Sequence, residues 1–117
     1  MNVMHRVALV AGVALACSDD GTGPSCASGG TATAVRVCDN FFAPASSPIA
    51  TGAGITWTWG GGNTHNVTFE DAGFTNSTTK TSGTHAQAFA NAGTFRYRCT
   101  IHSSNFNSGM VGSVTVQ

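Results

Sequence analysis

Apolar and polar residues alternate along most of the chain from residue 31 onward, which is the pattern of half-buried β-strands. Ile55, Trp57 and Trp59 share one face of such a run, with Thr56 and Thr58 between them. Similar runs cover residues 35–37, 65–69, 86–90, 95–99 and 111–116. Gly-rich and Asn-rich turns separate the runs, and no helical stripe of useful length occurs. We therefore predict an all-β fold, a two-sheet antiparallel Greek-key sandwich of seven to eight strands.

The first residues follow a different pattern, in which a basic start precedes the unbroken apolar run 7–16. As a helix this run rises only about 15 Å, half of a bilayer core, so it indicates an export signal. The residues before Cys17 resemble a bacterial lipoprotein signal, in which the Cys becomes the lipidated first residue. We expect an export signal of lipoprotein type over residues 1–16, a flexible tether over 17–30 and one domain over 31–117. Secretion without a lipid is the alternative.

Charge adds a constraint on partners, because only 9% of the residues are charged and the formal net charge is +0. Phosphate binding requires clustered Lys and Arg, so this balance argues against nucleic acid as a partner. Removal of the signal takes Arg6 away and leaves four Lys and Arg against five Asp and Glu. We expect contact with a membrane only through the lipid anchor.

The candidate chemistry lies at the ends of two predicted strands. His65 begins an alternating run after a Gly-rich loop, Cys99 ends another run, and His102 and Met110 lie in the segment that follows. Antiparallel connection can bring these strand ends to one edge of the sandwich. Two imidazoles, a thiolate and a thioether form a soft donor set that suits copper. Zinc would also accept two His and one Cys, but it would gain nothing from the thioether.

Four stretches of the sequence carry a resemblance to a known family. They are V-x-V-x-D-N-F-F-x-P at 35–44, N-T-H-N-V-T-F at 63–69, A-G-T-F-R-Y-R-C-T-I-H at 92–102 and G-M-V-G-S-V-T-V at 109–116. Together they make the chain resemble the small plastocyanin-like blue copper proteins, the cupredoxins. The resemblance extends from about Val35 to the C-terminus.

The resemblance implies a ligand set for one copper ion that cycles between Cu(I) and Cu(II). The implied ligands are His65, Cys99 and His102 in the equatorial positions and Met110 in the axial position. It further implies that Asn66 hydrogen-bonds the ligand loop at Thr100, and that His102 lies closest to solvent, where the electron would pass.

The segment between His102 and Met110 departs from the family pattern, because residues 103–109 make it longer than is usual. If this loop holds Met110 away from the metal, a backbone oxygen or no ligand at all occupies the fourth position. The polar composition of the loop also differs from the apolar patch through which the family docks its partners, although Phe106 offers one apolar contact.

The remaining cysteines, Cys26 and Cys38, lie outside the ligand pattern. In an oxidising compartment we expect them to form a disulfide that ties the tether to the first strand. Pairing of Cys38 with Cys99 is the alternative, and it would remove the thiolate ligand.

These observations favour a monomeric, exported one-electron carrier, periplasmic or on the cell surface, with a cytochrome or a membrane oxidoreductase as its redox partner. An enzyme is not expected, because copper oxidases and nitrite reductases need several more His ligands than the chain offers. Two further hypotheses stay open: a non-redox copper-binding or storage module, and an adhesion-type sandwich that does not bind copper tightly.

Overall fold

The chain forms eight β-strands in the computed structural model, which describes Cys26 and residues 29–117, and two of them, over 41–43 and 46–49, lie outside the alternating runs. The strands are β1 (Ala34–Cys38), β2 (Phe41–Ala43), β3 (Ser46–Ile49), β4 (Gly54–Trp59), β5 (Thr68–Phe69), β6 (Thr84–Ala88), β7 (Gly93–Arg98) and β8 (Val111–Val116). No helix that could cross a membrane occurs among these residues. The predicted export signal, Cys17 and most of the predicted tether lie outside the described residues.

The strands are arranged in two sheets of four strands, with the orders β2-β1-β4-β6 and β3-β8-β7-β5. The inner faces of both sheets supply one core, and alternate residues of each strand point into it. β4 buries Ile55, Trp57 and Trp59, and β8 buries Val114 and Val116. The all-β two-sheet sandwich predicted from the sequence is confirmed.

Two of the strand pairs are parallel, a feature that the predicted antiparallel sandwich did not include. β1 pairs with β4 in parallel, with Val37 opposite Trp59, and β3 pairs with β8 in parallel. Parallel neighbours cannot be joined by a tight hairpin and require a crossover. Here the chain leaves the first sheet after β2, forms β3 in the second sheet and returns as β4. The C-terminal ends of β1 and β4 consequently lie side by side.

Two predicted strands also differ in extent. The strand expected over residues 86–90 is β6, Thr84–Ala88, because it pairs with β4 over its whole length. The single run expected over residues 65–69 changes partner along its length: His65 forms an isolated bridge with Lys80, and Thr68–Phe69 pairs with β7.

A disulfide joins Cys26 to Cys38, with the two Cα atoms 5.6 Å apart, and Cys99 is a free, buried thiol. Cys38 is the last residue of β1, so the link fixes the chain that enters the sandwich to the end of that strand. The alternative pairing of Cys38 with Cys99 does not form.

Candidate metal centre

Three chain segments converge at one end of the sandwich and bring the predicted ligands together. His65 lies between β4 and β5, where its backbone N–H and C=O both pair with Lys80 at 3.0 Å. Cys99 directly follows β7, and Met110 directly precedes β8. His102 lies in the turn after Cys99, where its backbone N–H donates to the Cys99 carbonyl at 3.2 Å.

The two histidines and the cysteine form one compact group of donor atoms. Cys99 Sγ lies 3.8 Å from Nδ1 of His65 and 3.7 Å from Nδ1 of His102, and the two ring centroids are 4.9 Å apart. The donor atoms of the three residues all lie within 4.8 Å of one another. His65 and Cys99 are each 0% exposed, and His102 is half-buried. Both rings thus present Nδ1 to the thiol.

Met110 belongs to the same end of the molecule and is buried. Its backbone N–H donates to the carbonyl of His102 at 3.2 Å, and its carbonyl accepts from the N–H of Cys99 at 3.0 Å. These hydrogen bonds hold together the two ends of the long segment between His102 and Met110, and we call this closed end the base of the loop. The extra residues therefore do not carry Met110 out of the group of strand ends.

The loop of residues 103–109 instead projects from this base and packs on the outward face of β7. The Phe106 ring centroid lies 5.2 Å from the guanidinium carbon of Arg98 and 6.0 Å from that of Arg96. Arg98 also donates to the carbonyl of Ser103, and Arg96 donates to Asn107 Oδ1 at 2.5 Å. The two arginines that the alternation placed on the outer face of β7 thereby anchor the insertion.

Asn66 connects the His65 segment to the segment of Cys99 through a saturated set of hydrogen bonds. Its Nδ2 donates to Thr100 Oγ1 at 2.8 Å and to Thr79 Oγ1 at 3.1 Å. Its Oδ1 accepts from the backbone N–H of Thr100 at 3.0 Å and from Thr68 Oγ1 at 3.0 Å. The side chain that follows one histidine thus fixes the residue that follows the cysteine.

Trp59 supports the same segment from the core side, a contact that the sequence did not indicate. Its indole Nε1–H donates to the carbonyl of His65 at 3.1 Å, and Lys80 Nζ lies 4.7 Å from the centroid of its ring. The backbone of His65 is therefore bonded on both sides, to Trp59 and to Lys80.

Asp39 is the main site residue that sequence reasoning missed. It follows the strand end at Cys38, and its Oδ1 lies 2.9 Å from His65 Nε2, the ring nitrogen that faces away from the thiol. This hydrogen bond, aided by the N–H groups of Gly62 and Asn63, lowers the pKa of Asp39 to about 2. The available signal was an acidic residue at the end of one strand and a Gly-rich loop before the histidine. Only the parallel pairing of β1 with β4 brings these two loops together.

The chemistry of the donor set tests which metal fits. A cysteine sulfur and a buried thioether are soft donors, and together with two imidazole nitrogens in the same region they form the combination typical of copper electron-transfer sites. Cys99 and Met110 belong to the buried apolar core, His65 is also buried, and His102 is the partly exposed member of the group. His65, Cys99 and His102 form an arrangement suited to one copper ion.

Comparisons with known proteins agree with this geometry. A family model described as copper binding proteins, plastocyanin/azurin family, matches residues 31–117. No curated protein sequence matches the chain.

Solved structures share the fold at low sequence identity. A purple cupredoxin from Nitrosopumilus maritimus is 24% identical with a TM-score of 0.61, over 73% of this chain and 99% of that chain. A mutant amicyanin in its reduced Cu(I) form at pH 4 is 22% identical with a TM-score of 0.62, over 77% of this chain and 85% of that chain. An oxidised plastocyanin from Dryopteris crassirhizoma is 22% identical with a TM-score of 0.58, over 72% of this chain and 99% of that chain.

Proposed function

Because the chain belongs to the plastocyanin/azurin family of copper-binding proteins, we propose that it is a one-electron carrier with a single type 1 (blue) copper site. The observation that carries the proposal is the approach of two imidazole Nδ1 atoms to one buried thiol, at 3.8 and 3.7 Å from Cys99 Sγ. Copper bound there would take one electron from a reduced partner, pass from Cu(II) to Cu(I) and return the electron to an oxidised partner.

We assign His65, Cys99 and His102 as the strong ligands and Met110 as the weak axial ligand. The backbone bonds of Met110 to His102 and Cys99 support the axial assignment, because they fix the residue beside both ligands. The long loop departs outward from these bonds, which supports Met110 over the alternative of an axial backbone oxygen.

The surrounding residues would keep the ligand atoms in place while the metal changes charge. Asn66 fixes Thr100 through two hydrogen bonds, and Trp59 and Lys80 fix the backbone of His65. A site that rearranges little between its two redox states opposes electron transfer least. The buried faces of Phe69 and Tyr97 exclude water from the interior behind the ligands.

His102 is the ligand through which the electron would enter and leave. It is half-buried, whereas His65, Cys99 and Met110 are fully buried. Its neighbour Ile101 is 50% exposed and offers an apolar contact to a partner at the same place. We propose a redox protein, a cytochrome or a membrane oxidoreductase, as that partner of a monomeric carrier.

We also propose that the protein is exported and held at the membrane by a lipid on Cys17. The disulfide between Cys26 and Cys38 supports export, because disulfides persist in oxidising compartments. An enzymatic role is not proposed, since the chain beyond the signal has three histidines and a multicopper enzyme needs more.

Addition of Cu(II) to the purified protein tests the function. We expect an intense blue colour from the thiolate, lost in Cys99→Ala and kept in His85→Ala, because His85 bonds the Thr75 carbonyl outside the ligand group. A colourless adduct, or a blue Cys99→Ala protein, contradicts the proposal. Rapid reversible reduction by cytochrome c or at an electrode supports a carrier, and tight copper binding without such exchange indicates a store.

A further inference from the structure

A carboxylate lies behind the buried histidine ligand, on the side of the ring opposite the thiol. His65 Nδ1 faces Cys99 Sγ at 3.8 Å, and His65 Nε2 lies 2.9 Å from Asp39 Oδ1. We infer that Asp39 is a positioning residue for the copper site, which assigns Nδ1 of His65 to the metal and favours Cu(II) over Cu(I). This inference rests on the proposed function.

The first consequence concerns the proton on the His65 ring. An ionised carboxylate can only accept hydrogen bonds, so the Nε2–H of His65 must be the donor to Asp39. A neutral imidazole carries one proton, and Nδ1 is then left with its lone pair directed at the thiol. Asp39 therefore selects the ligand tautomer and ring orientation before any metal arrives.

Asp39 is itself held in place by the loop that precedes the histidine. The backbone N–H of Gly62 donates to its Oδ2 at 3.1 Å, and that of Asn63 donates to its Oδ1 at 3.0 Å. A Cβ at Gly61 would lie 2.4 Å from Oδ1, so a glycine is needed where the loop passes the carboxylate. The disulfide at Cys38 fixes the preceding residue. The carboxylate is thus preorganised behind the ring.

The second consequence concerns the charge of the site. A thiolate with Cu(II) carries one net positive charge, and with Cu(I) none. A carboxylate hydrogen-bonded to a ligand ring stabilises the positively charged Cu(II) state more than the neutral Cu(I) state. It also makes the imidazole a more basic ligand. The Asp39 side chain is 39% exposed, so solvent screens part of this effect. We therefore expect loss of the carboxylate to change the relative copper affinities by the lower end of the 10–100-fold range that such hydrogen-bond partners typically contribute.

Asp39→Asn is the test, because it keeps the shape of the side chain and removes its charge. We expect the ratio of Cu(I) to Cu(II) affinity to rise about tenfold, which raises the reduction potential by about 59 mV for a one-electron couple. Asp71→Asn is the matched control, since Asp71 is exposed and its side chain bonds only the N–H of Gly73 among the described residues. An equal potential in Asp39→Asn and Asp71→Asn overturns the inference.

Asp39→Glu separates charge from loop structure. It restores the negative charge with a longer arm, so its potential should return most of the way to that of the wild type. If Asp39 only held the Gly-rich loop in place through hydrogen bonds, Asp39→Glu would change the potential at least as much as Asp39→Asn. That ordering of the potentials would contradict a role for the charge.

The tautomer provides a readout that needs neither copper nor a variant. In the metal-free protein, nitrogen-15 NMR should show His65 protonated at Nε2 and unprotonated at Nδ1. The opposite tautomer overturns the positioning role even if every variant misfolds. If the wild type shows the expected tautomer but gains no blue colour with Cu(II), the proposed function fails while the positioning by Asp39 stands.

Discussion

Tyr97 is the only tyrosine of the chain and lies at the centre of the core. Its ring makes edge contacts with Trp57 and Phe42, at centroid distances of 5.3 and 4.7 Å. Its hydroxyl and the indole Nε1 of Trp57 are both buried, and neither atom has a hydrogen-bond partner among the described residues. Burial raises the pKa of Tyr97 to about 12.

Tyr97→Phe should separate the packing of this ring from the cost of its hydroxyl. An unpartnered buried hydroxyl is unfavourable, so the variant should be at least as stable as the wild type at pH 7. From pH 10 to 12 the unfolded wild type releases the Tyr97 proton while the folded protein retains it. The free energy of unfolding of the wild type should therefore fall by about 2–3 kcal/mol more than that of the variant.

Urea unfolding of the metal-free protein at pH 7 and at pH 11–12, followed by tryptophan fluorescence, measures both effects. The comparison with Tyr97→Phe cancels every other effect of high pH, because the two proteins differ only in this hydroxyl. Parallel losses in the two proteins at high pH would show that the hydroxyl does not titrate as burial requires.

At the scale of the elements, the loop of residues 103–109 combines a fixed base with a separately anchored body. Gly109 lies at the base with φ 85°, a conformation that favours glycine, and a Cβ there would lie 2.6 Å from the carbonyl of His102. The body is fixed on Arg96 and Arg98 through Phe106. A long loop can therefore coexist with a tight ligand turn.

Of two substitutions in this loop, only the one at its base should disturb the metal site. Phe106→Ala removes cation–π contacts worth about 0.5–1 kcal/mol each at exposed sites, and should leave the absorption of the copper form unchanged. Gly109→Ala should shift the absorption of the copper form and accelerate copper loss, because the added Cβ strains the hydrogen bond from the N–H of Met110 to the carbonyl of His102. Absorption spectra and chelator competition measure both, and a shift in Phe106→Ala alone would contradict the separation of base from body.

The sequence predicted the strands that alternate cleanly, such as β4 and β7, because each of these buries one face. Asp39 could not be predicted as a partner of His65, because the two residues become neighbours only through the parallel register of β1 and β4. Alternation identifies the buried face of a strand but not its neighbour in the sheet. The resemblance supplied the proposed ligands, and the anchoring of the long loop on Arg96 and Arg98 required the structure.

At the scale of the whole described domain, residues 29–117, the few charges are mostly engaged within the protein. Arg96 pairs with Glu70 at 2.6 Å and also bonds the loop, Arg98 bonds the carbonyl of Ser103, and Asp39 bonds His65. Within residues 29–117 four Lys and Arg stand against three Asp and Glu. A near-neutral surface of this kind produces little long-range attraction for a charged partner.

Electron exchange with small reagents of opposite charge should therefore depend only weakly on salt. Electrostatically steered encounters gain 10–10³-fold in rate and lose it steeply as ionic strength rises. For this protein we expect rates with an anionic reagent, ferricyanide, and a cationic one, hexaammineruthenium, to change by no more than about threefold between 10 mM and 500 mM salt. Stopped-flow absorption of the blue band measures both series.

A steep fall with one reagent and a steep rise with the other would reveal a charged patch around His102 that the balanced composition conceals. A flat response with both reagents would agree with the balanced charge and would leave the exposed Ile101 beside His102 as the candidate apolar contact for a partner.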